Sequence, residues 1–204
     1  AEGLSLVKTM RAIASEDKKI IAGTGRESTG ATIDFTNRAA AAGADAALVV
    51  TPSYYAGQMT ADALSDYYLE IAEKADLPIL LYNVPKYTGV TIPLSTISRS
   101  MEHKNIKGIK DSSGNLGYLE EIINLRSDTD DFTILQGSGS VIYASLMLGA
   151  DGGILALSDF APEDTTAIYK EFKKGNLDRC RELQLKLAPI NNKIVGSLGA
   201  AGIK

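Results

Sequence analysis

The chain has 204 residues, 45% hydrophobic and 23% charged, enough apolar material for one sizeable core. A net charge of -4 and a pI near 5.1 argue against nucleic acid as a partner. A single cysteine (Cys180) and a single histidine (His103) exclude an intrachain disulfide, a thiolate metal cluster, a multi-histidine metal site and a histidine-based triad.

No apolar run approaches the length of a membrane span, so no membrane partner is expected. The lone cysteine fits a reducing compartment: the cytoplasm or, in a eukaryote, the mitochondrial matrix.

In chain order, Leu4, Val7, Met10 and Ile13 open a helical pattern with no strand before it. The run Lys19 to Thr24 reads as the first strand, and Ser28 as the N-cap of a helix that carries Ile33 and Phe35 and that Gly43 closes. Ala46 to Thr51 reads as a strand, followed by a helical face of Leu64, Tyr67, Tyr68 and Ile71. Pro78 to Val84 is the third run, with a shorter helix at Leu94, Ile97 and Met101; His103 then falls in a polar connection, as a solvated loop residue. Asn105 to Lys110 is the fourth strand, before a helix marked by Leu116, Leu119 and Ile123. Phe132 to Gln136 leads to Val141, Ile142, Ser145 and Leu148. The last run, Gly152 to Leu157, precedes a helix that Pro162 opens and that bears Ile168 and Phe172. Cys180 lies in a charged helical stretch, and a C-terminal helical region starts near residue 190.

Strands alternating with helices mean an α/β fold with a parallel sheet and right-handed crossovers. The runs are almost continuously apolar, as in strands covered on both faces. No linker or low-complexity stretch divides residues 1–204, which read as a single domain. Six regular units favour a (β/α)8 TIM barrel over a doubly wound sheet, yet a complete barrel takes about 250 residues. Six of eight strands would leave two bare edges. The expectation is therefore that about two βα units are absent, and that a polypeptide of these residues alone is poorly soluble and inactive.

Lys110 carries the first chemical signal. In the fourth strand Ile106, Gly108 and Lys110 share a face, and Lys110 stands at the carboxyl end, where barrel enzymes place their chemistry. A partly desolvated ammonium there loses proton affinity and becomes a nucleophilic amine. Tyr82 ends the preceding strand, and a buried phenol near a lysine makes a competent proton relay for imine chemistry.

These residues fall within a wider pattern. Ala22-Gly23-Thr24-Gly25, Thr51-Pro52-Ser53-Tyr54-Tyr55, Tyr82-Asn83-Val84-Pro85 with Thr88-Gly89, Gly108-Ile109-Lys110-Asp111-Ser112-Ser113-Gly114 and Gly149-Ala150-Asp151-Gly152-Gly153-Ile154 span essentially the whole chain. In that order and spacing the chain resembles the dihydrodipicolinate synthase and N-acetylneuraminate lyase family of Schiff-base, pyruvate-dependent aldolases.

The resemblance implies that Lys110 attacks the keto carbon of pyruvate and that Tyr82 shuttles protons. A tyrosine of the Thr-Pro-x-Tyr segment, Tyr54 with Tyr55 as second choice, would reach a neighbouring subunit's site. It further implies that the backbone at Ile154 lines the pyruvate pocket and that Tyr55, Tyr87, Ser112, Gly137 and Ser138 contact substrate. No metal or organic cofactor is implied; the partners are a 2-oxo acid and a second copy of the chain, as a dimer or tetramer. The turn that binds the pyruvate carboxylate in the family has no counterpart among these residues.

One departure bears on substrate. Synthases of the family carry an arginine two residues after the proline of Tyr-Asn-Val-Pro; here Tyr87 stands there, preceded by Lys86. A tyrosine cannot replace a bidentate guanidinium fork. This favours cleavage of 4-hydroxy-2-oxoglutarate or a related 2-keto-3-deoxy sugar acid over condensation of pyruvate with aspartate semialdehyde. A non-catalytic sugar-acid-binding protein on the same barrel is the remaining alternative.

Three further features read as structural. Gln136-Gly137-Ser138-Gly139-Ser140 precedes a helix and is either a substrate-pocket turn or a phosphate site, with the turn favoured. Gly23-Thr24-Gly25 reads as a tight βα turn rather than a dinucleotide fingerprint. Asp111, Asp151 and Asp159 match no metal-ligand pattern and read as water-exposed capping residues.

Overall fold

The computed structural model describes residues 2–127 and 131–204. Its elements run α1 (Glu2–Ile13), β1 (Ile21–Gly23), α2 (Thr29–Ala41), β2 (Ala46–Val50), a 3₁₀ turn (Ala56–Gln58), α3 (Ala61–Lys74) and β3 (Ile79–Asn83). They continue as α4 (Pro85–Thr88), α5 (Leu94–Met101), β4 (Ile106–Asp111), α6 (Leu116–Leu125), β5 (Thr133–Gln136), α7 (Ile142–Leu148) and β6 (Gly152–Gly153). A 3₁₀ turn (Ala156–Asp159), α8 (Pro162–Lys173), α9 (Leu177–Asn191), a π-helical segment (Asn192–Leu198) and α10 (Ala200–Ile203) complete the order.

The six strands follow one another in sequence order across one sheet. The pairs β1–β2, β2–β3 and β5–β6 are parallel, with Val50 level with Tyr82 and Leu135 level with Gly152. The α/β expectation holds. Among the described residues, no helix is long and apolar enough to cross a membrane.

The residues group into two compact units: Ala1–Ile109 with Arg126–Phe132, and Lys110–Leu125 with Thr133–Lys204. In the first, Leu64, Tyr68, Ile71, Ile79, Leu81, Ile97, Ile106 and Ile109 are buried. Ser28 caps α2 as expected, its Oγ accepting from the Ala31 N–H at 3.3 Å. The buried face of α2, however, is Thr32, Thr36 and Ala39 rather than Ile33 and Phe35. Thr36 Oγ1 donates to Thr24 Oγ1 (2.8 Å) and Thr32 Oγ1 lies 2.9 Å from Tyr67 Oη, so these hydroxyls are buried because they satisfy one another. Of the apolar residues that open α1, Val7 is buried, whereas Met10 and Ile13 are exposed.

In the second unit Ile142, Leu146, Leu155, Leu157, Ile168, Leu183 and Leu187 form a core against which Tyr143, Phe160 and Phe172 pack. In α7 Ile142, Ser145 and Leu146 are buried, whereas Leu148 is exposed. The last run narrows to a two-residue strand. After Gly153 the chain leaves the edge of β5, whose last residue is Gln136, and turns into the 3₁₀ segment. The charged helical stretch around Cys180 is α9, and the π-helical segment and α10 follow it from Asn192 on.

One device recurs in both units. Gly43-Ala44-Asp45 and Gly149-Ala150-Asp151 each end a helix with glycine at positive φ (100° and 113°), a backbone conformation that disfavours side chains. Ala44 N donates to Ala39 O, and Ala150 N to Ser145 O, both at 3.0 Å. Each aspartate then accepts an N–H near the start of the preceding strand, Ile20 N just before β1 at 2.8 Å for Asp45 and Ile134 N, in the second residue of β5, at 2.7 Å for Asp151. The expected capping role of Asp151 is realised at a strand start.

Asn105, just before β4, donates to three carbonyls: Ala72 (2.9 Å), Ala75 (3.3 Å) and Leu77 (3.1 Å). His103 is not a solvated loop residue. Its ring is partly buried, with Nε2 3.3 Å from Glu73 Oε2 and Nδ1 accepting from Asn105 N at 3.2 Å. An alanine at 105 leaves the three carbonyls short of a donor, at a cost of about 1–3 kcal/mol. An aspartate places a carboxylate against the same carbonyls. Asn105→Asp is therefore expected to lower the urea midpoint more than Asn105→Ala; equal midpoints would contradict this.

Candidate active site

Lys110 lies in the second unit, as the fifth residue of β4. Strand alternation buries Ile106 and Gly108 on its own face and Ile109 and Asp111 on the other. The loop after β5 packs against it: a Cβ built on Gly137 would stand 2.9 Å from Lys110 Cε and would collide with Ser112 Oγ. Only glycine fits there, so Lys110, Ser112 and the Gly137 backbone form one cluster. This part of the expected site is brought together.

The Gly137 loop is held from several sides. Gln136 Oε1 accepts from the N–H groups of Gly137 (2.8 Å) and Ser138 (2.7 Å), while its Nε2 donates to Ser145 Oγ (2.9 Å). Gly137 N also donates to Asp111 O at 2.6 Å. Further along, Gln184 Nε2 donates to Gly139 O (3.0 Å) and Asn191 Nδ2 to Ser140 Oγ (2.7 Å), which ties the loop to α9. The amides that a phosphate would need at Gly137 and Ser138 are already engaged, so the loop is a clamped turn rather than an anion cradle.

Asp111 is fully buried, not water-exposed. Its carboxylate accepts from Ser113 N (3.1 Å) and Ser113 Oγ (2.7 Å), which closes a side-chain turn just after β4. Burial first, and the charges of Asp111 and Glu121 next, push the Tyr118 phenol well above its usual range. Ile154 is half-buried, and its N–H donates to Gln136 O at 3.0 Å.

Desolvation lowers the Lys110 ammonium below the ordinary lysine range, and the charge of exposed Asp159 opposes that shift. Burial disfavours the charged form, so a larger share of the amine is neutral at a given pH. The charge of Asp159 thus bears on the proton affinity of this amine, and its sequence position alone carried no signal of this.

The remaining expected residues lie in the first unit. Tyr82 is half-buried in β3, on the same strand face as buried Leu80; β3 and β4 are consecutive in the sheet order. Asn83 is buried, and its Oδ1 accepts from Ile92 N at 3.0 Å, which fixes the Val84–Ile92 segment to the end of β3. Tyr54 and Tyr55 are exposed (80% and 68%), with ring centroids 4.9 Å apart in an edge-to-face contact. Tyr87 is also exposed, and the Lys86 ammonium lies 5.5 Å from its ring centroid. Gly25 is a tight turn as expected: a Cβ would come 2.7 Å from Val50 N. Among the described residues, no group of three or more His, Cys, Asp or Glu side chains is arranged to hold a metal ion.

Replacing Asp159 by asparagine removes a charge that holds the Lys110 ammonium up. In Asp159→Asn, the pH midpoint for reaction of Lys110 with a 2-oxo acid is expected to move to lower pH. An unchanged or raised midpoint would show that Asp159 does not act on this amine.

The sequence profile of the Dihydrodipicolinate synthetase family matches residues 1–204. A 4-hydroxy-tetrahydrodipicolinate synthase of Methanothrix thermoacetophila is 39% identical over 174 residues, 85% of this chain and 58% of that protein. The chain thus spans less than two thirds of that relative's length. The 4-hydroxy-tetrahydrodipicolinate synthase structure of Methylacidiphilum fumariolicum superposes with a TM-score of 0.91 at 30% identity, covering 98% of this chain and 65% of that one. The chloride-inhibited dihydrodipicolinate synthase of Acinetobacter baumannii, solved in complex with pyruvate, gives a TM-score of 0.88 at 33% identity over 96% of this chain and 66% of that one. With the family profile matching from end to end, the chain belongs to the dihydrodipicolinate synthetase family.

Proposed function

We propose that the intact protein is a class I aldolase in which Lys110 forms an imine with pyruvate. The observation that carries this reading is the desolvated Lys110 amine at the carboxyl end of β4, packed against the Gly137 backbone. Neutral Nζ adds to the keto carbon, and the resulting carbinolamine loses water to give the imine. Tyr82 passes a proton to the departing hydroxyl and recovers one in the return step; Tyr54 extends this relay, with Tyr55 beside it. Loss of a methyl proton turns the imine into an enamine that attacks an aldehyde, or the reverse sequence releases one. Hydrolysis then returns the amine. The imine is itself the electron sink, so the chemistry calls for no metal or organic cofactor.

Ser112, Gly137, Ser138 and the Ile154 backbone lie in this reading along the pyruvate side, with Tyr87 on the side of the second substrate. Similarity to complete family structures supports an eight-stranded barrel for the intact protein. The exposure of Tyr54 suits a homo-oligomer, dimer or tetramer, and the single cysteine suits the cytoplasm.

For the second substrate, the names of the relatives favour condensation of pyruvate with aspartate semialdehyde over the 4-hydroxy-2-oxoglutarate cleavage that the sequence suggested. Position 87 keeps the cleavage reading in play. No guanidinium stands there, and the nearby cation, Lys86, lies over the Tyr87 ring. An unpaired second carboxylate would cost a few kcal/mol of transition-state binding.

Steady-state kinetics on the intact gene product separate these readings. Lys110→Arg is expected to abolish turnover of either substrate, since a guanidinium forms no imine; retained turnover would mean a different nucleophile, and no turnover by the wild type would leave a binding protein. The synthase reading predicts the higher kcat/KM with aspartate semialdehyde, and a loss of about 10- to 100-fold in Lys86→Ala. A clear preference for 4-hydroxy-2-oxoglutarate would overturn it in favour of the aldolase of hydroxy-oxo acids.

A further inference from the structure

The turn between β1 and α2 carries a carboxylate to which neither the sequence motifs nor the imine chemistry gives a role. Glu27 Oε2 accepts from the N–H of Ser53 and the N–H of Tyr54, each at 2.9 Å, and its Oε1 accepts from Ser53 Oγ at 3.0 Å. These are charge-assisted bonds, about twice as strong as neutral ones. The Tyr54 N–H first, and the Ser53 N–H next, hold the Glu27 carboxyl below its usual range, so it is ionised at neutral pH.

The support beneath Glu27 is rigid. Arg26 N donates to Thr32 Oγ1 (3.0 Å), and Tyr67 Oη donates to Arg26 O (3.0 Å). The Arg26 guanidinium donates to Gly25 O (2.7 Å) and Thr24 O (3.3 Å), and stacks over the Phe35 ring at 3.9 Å. Ser28, the next residue, caps α2. Tyr54 is the opposite case: a loop residue with an exposed ring that meets Tyr55 edge to face. An exposed ring on a free loop samples many positions, and an error of about 1 Å in a reacting group costs about 100-fold in rate.

We propose that Glu27 is a positioning residue for Tyr54: it clamps the Ser53–Tyr54 backbone to the β1–α2 turn and so fixes the point from which the phenol projects. The inference rests on the role given to Tyr54 in the proposed imine chemistry. Glu27 touches no reacting atom in this account. It acts on rate through Tyr54 alone.

A double-mutant cycle on the intact gene product tests this, with Glu27→Ala, Glu27→Gln and Tyr54→Phe made singly and Glu27→Ala also combined with Tyr54→Phe. The rate is read with whichever aldehyde or hydroxy-oxo acid the wild type turns over, and reduction of the pyruvate imine by borohydride reads Lys110 separately. Glu27→Ala is expected to lower kcat about 10- to 100-fold with little change in KM for pyruvate and with the Lys110 adduct retained. Glu27→Gln, which keeps a carbonyl acceptor, is expected to recover part of that loss, and Glu27→Ala should cost nothing further in the Tyr54→Phe background. Losses that multiply in the double variant, or no rescue by glutamine, would overturn the proposal. If Glu27→Ala does not fold, the same cycle run with Glu27→Gln decides by the same criterion. A Tyr54→Phe protein with unchanged kcat overturns the role of Tyr54 and this inference with it, whereas absence of any Lys110 adduct in the wild type overturns the aldolase reading itself.

Discussion

Removing Lys110 from water is the constraint around which the surrounding residues are arranged. A lysine at the end of a strand is ordinarily a solvated cation. Here burial lowers the proton affinity of the amine, and the Gly137 backbone lies so close to the lysine side chain that a Cβ at 137 would stand 2.9 Å from Lys110 Cε. Asp159 limits the effect, so the amine is made more nucleophilic while keeping an acidic group within electrostatic reach. Both influences come from segments that follow β5 and β6, far from Lys110 in sequence. The lowered proton affinity of this amine is a property of its surroundings as much as of the lysine.

The ends of the strands share a second feature. At four of them a polar side chain captures backbone N–H groups of the loop that follows or of a neighbouring loop. Glu27 takes those of Ser53 and Tyr54; Asn83 takes that of Ile92; Asp111 takes that of Ser113; Gln136 takes those of Gly137 and Ser138. Loops built for chemistry cannot rely on a sheet ladder for their amides, and buried or half-buried donors left unmet cost free energy. Using side chains as acceptors satisfies the amides and fixes loop geometry at once. The opposite ends use aspartates in the same spirit, with Asp45 and Asp151 each receiving an N–H near the start of the preceding strand.

Much of this was readable from residue pattern. Apolar runs gave six strands near their observed places because burial on both faces needs continuous aliphatic side chains, and Ser28 and Pro162 marked helix starts through chemistry local to the backbone. What the pattern missed depends on partners distant in sequence. Thr32 and Thr36 look like exposed helix residues until Tyr67 and Thr24 supply their hydrogen bonds. Asp111 reads as a surface cap, because nothing in its own segment announces that the turn is buried. The last run looked like a six-residue strand, yet only two residues pair with β5 before the chain turns away. In the candidate site, Lys110, Tyr82 and the tyrosine pair were visible as residue types at strand and loop positions, whereas the hydrogen bonds of Glu27 and Gln136 and the influence of the Asp159 charge on Lys110 emerge only from the folded chain.

The central claim is that Lys110 is an imine-forming amine, and covalent trapping tests it most directly. The intact gene product is incubated with pyruvate, reduced with borohydride, digested and mapped by mass spectrometry. The account predicts one pyruvate-derived adduct on the peptide containing Lys110, and none when borohydride is added without pyruvate. An adduct on a different lysine, or no adduct in a folded protein that turns over substrate, would contradict it.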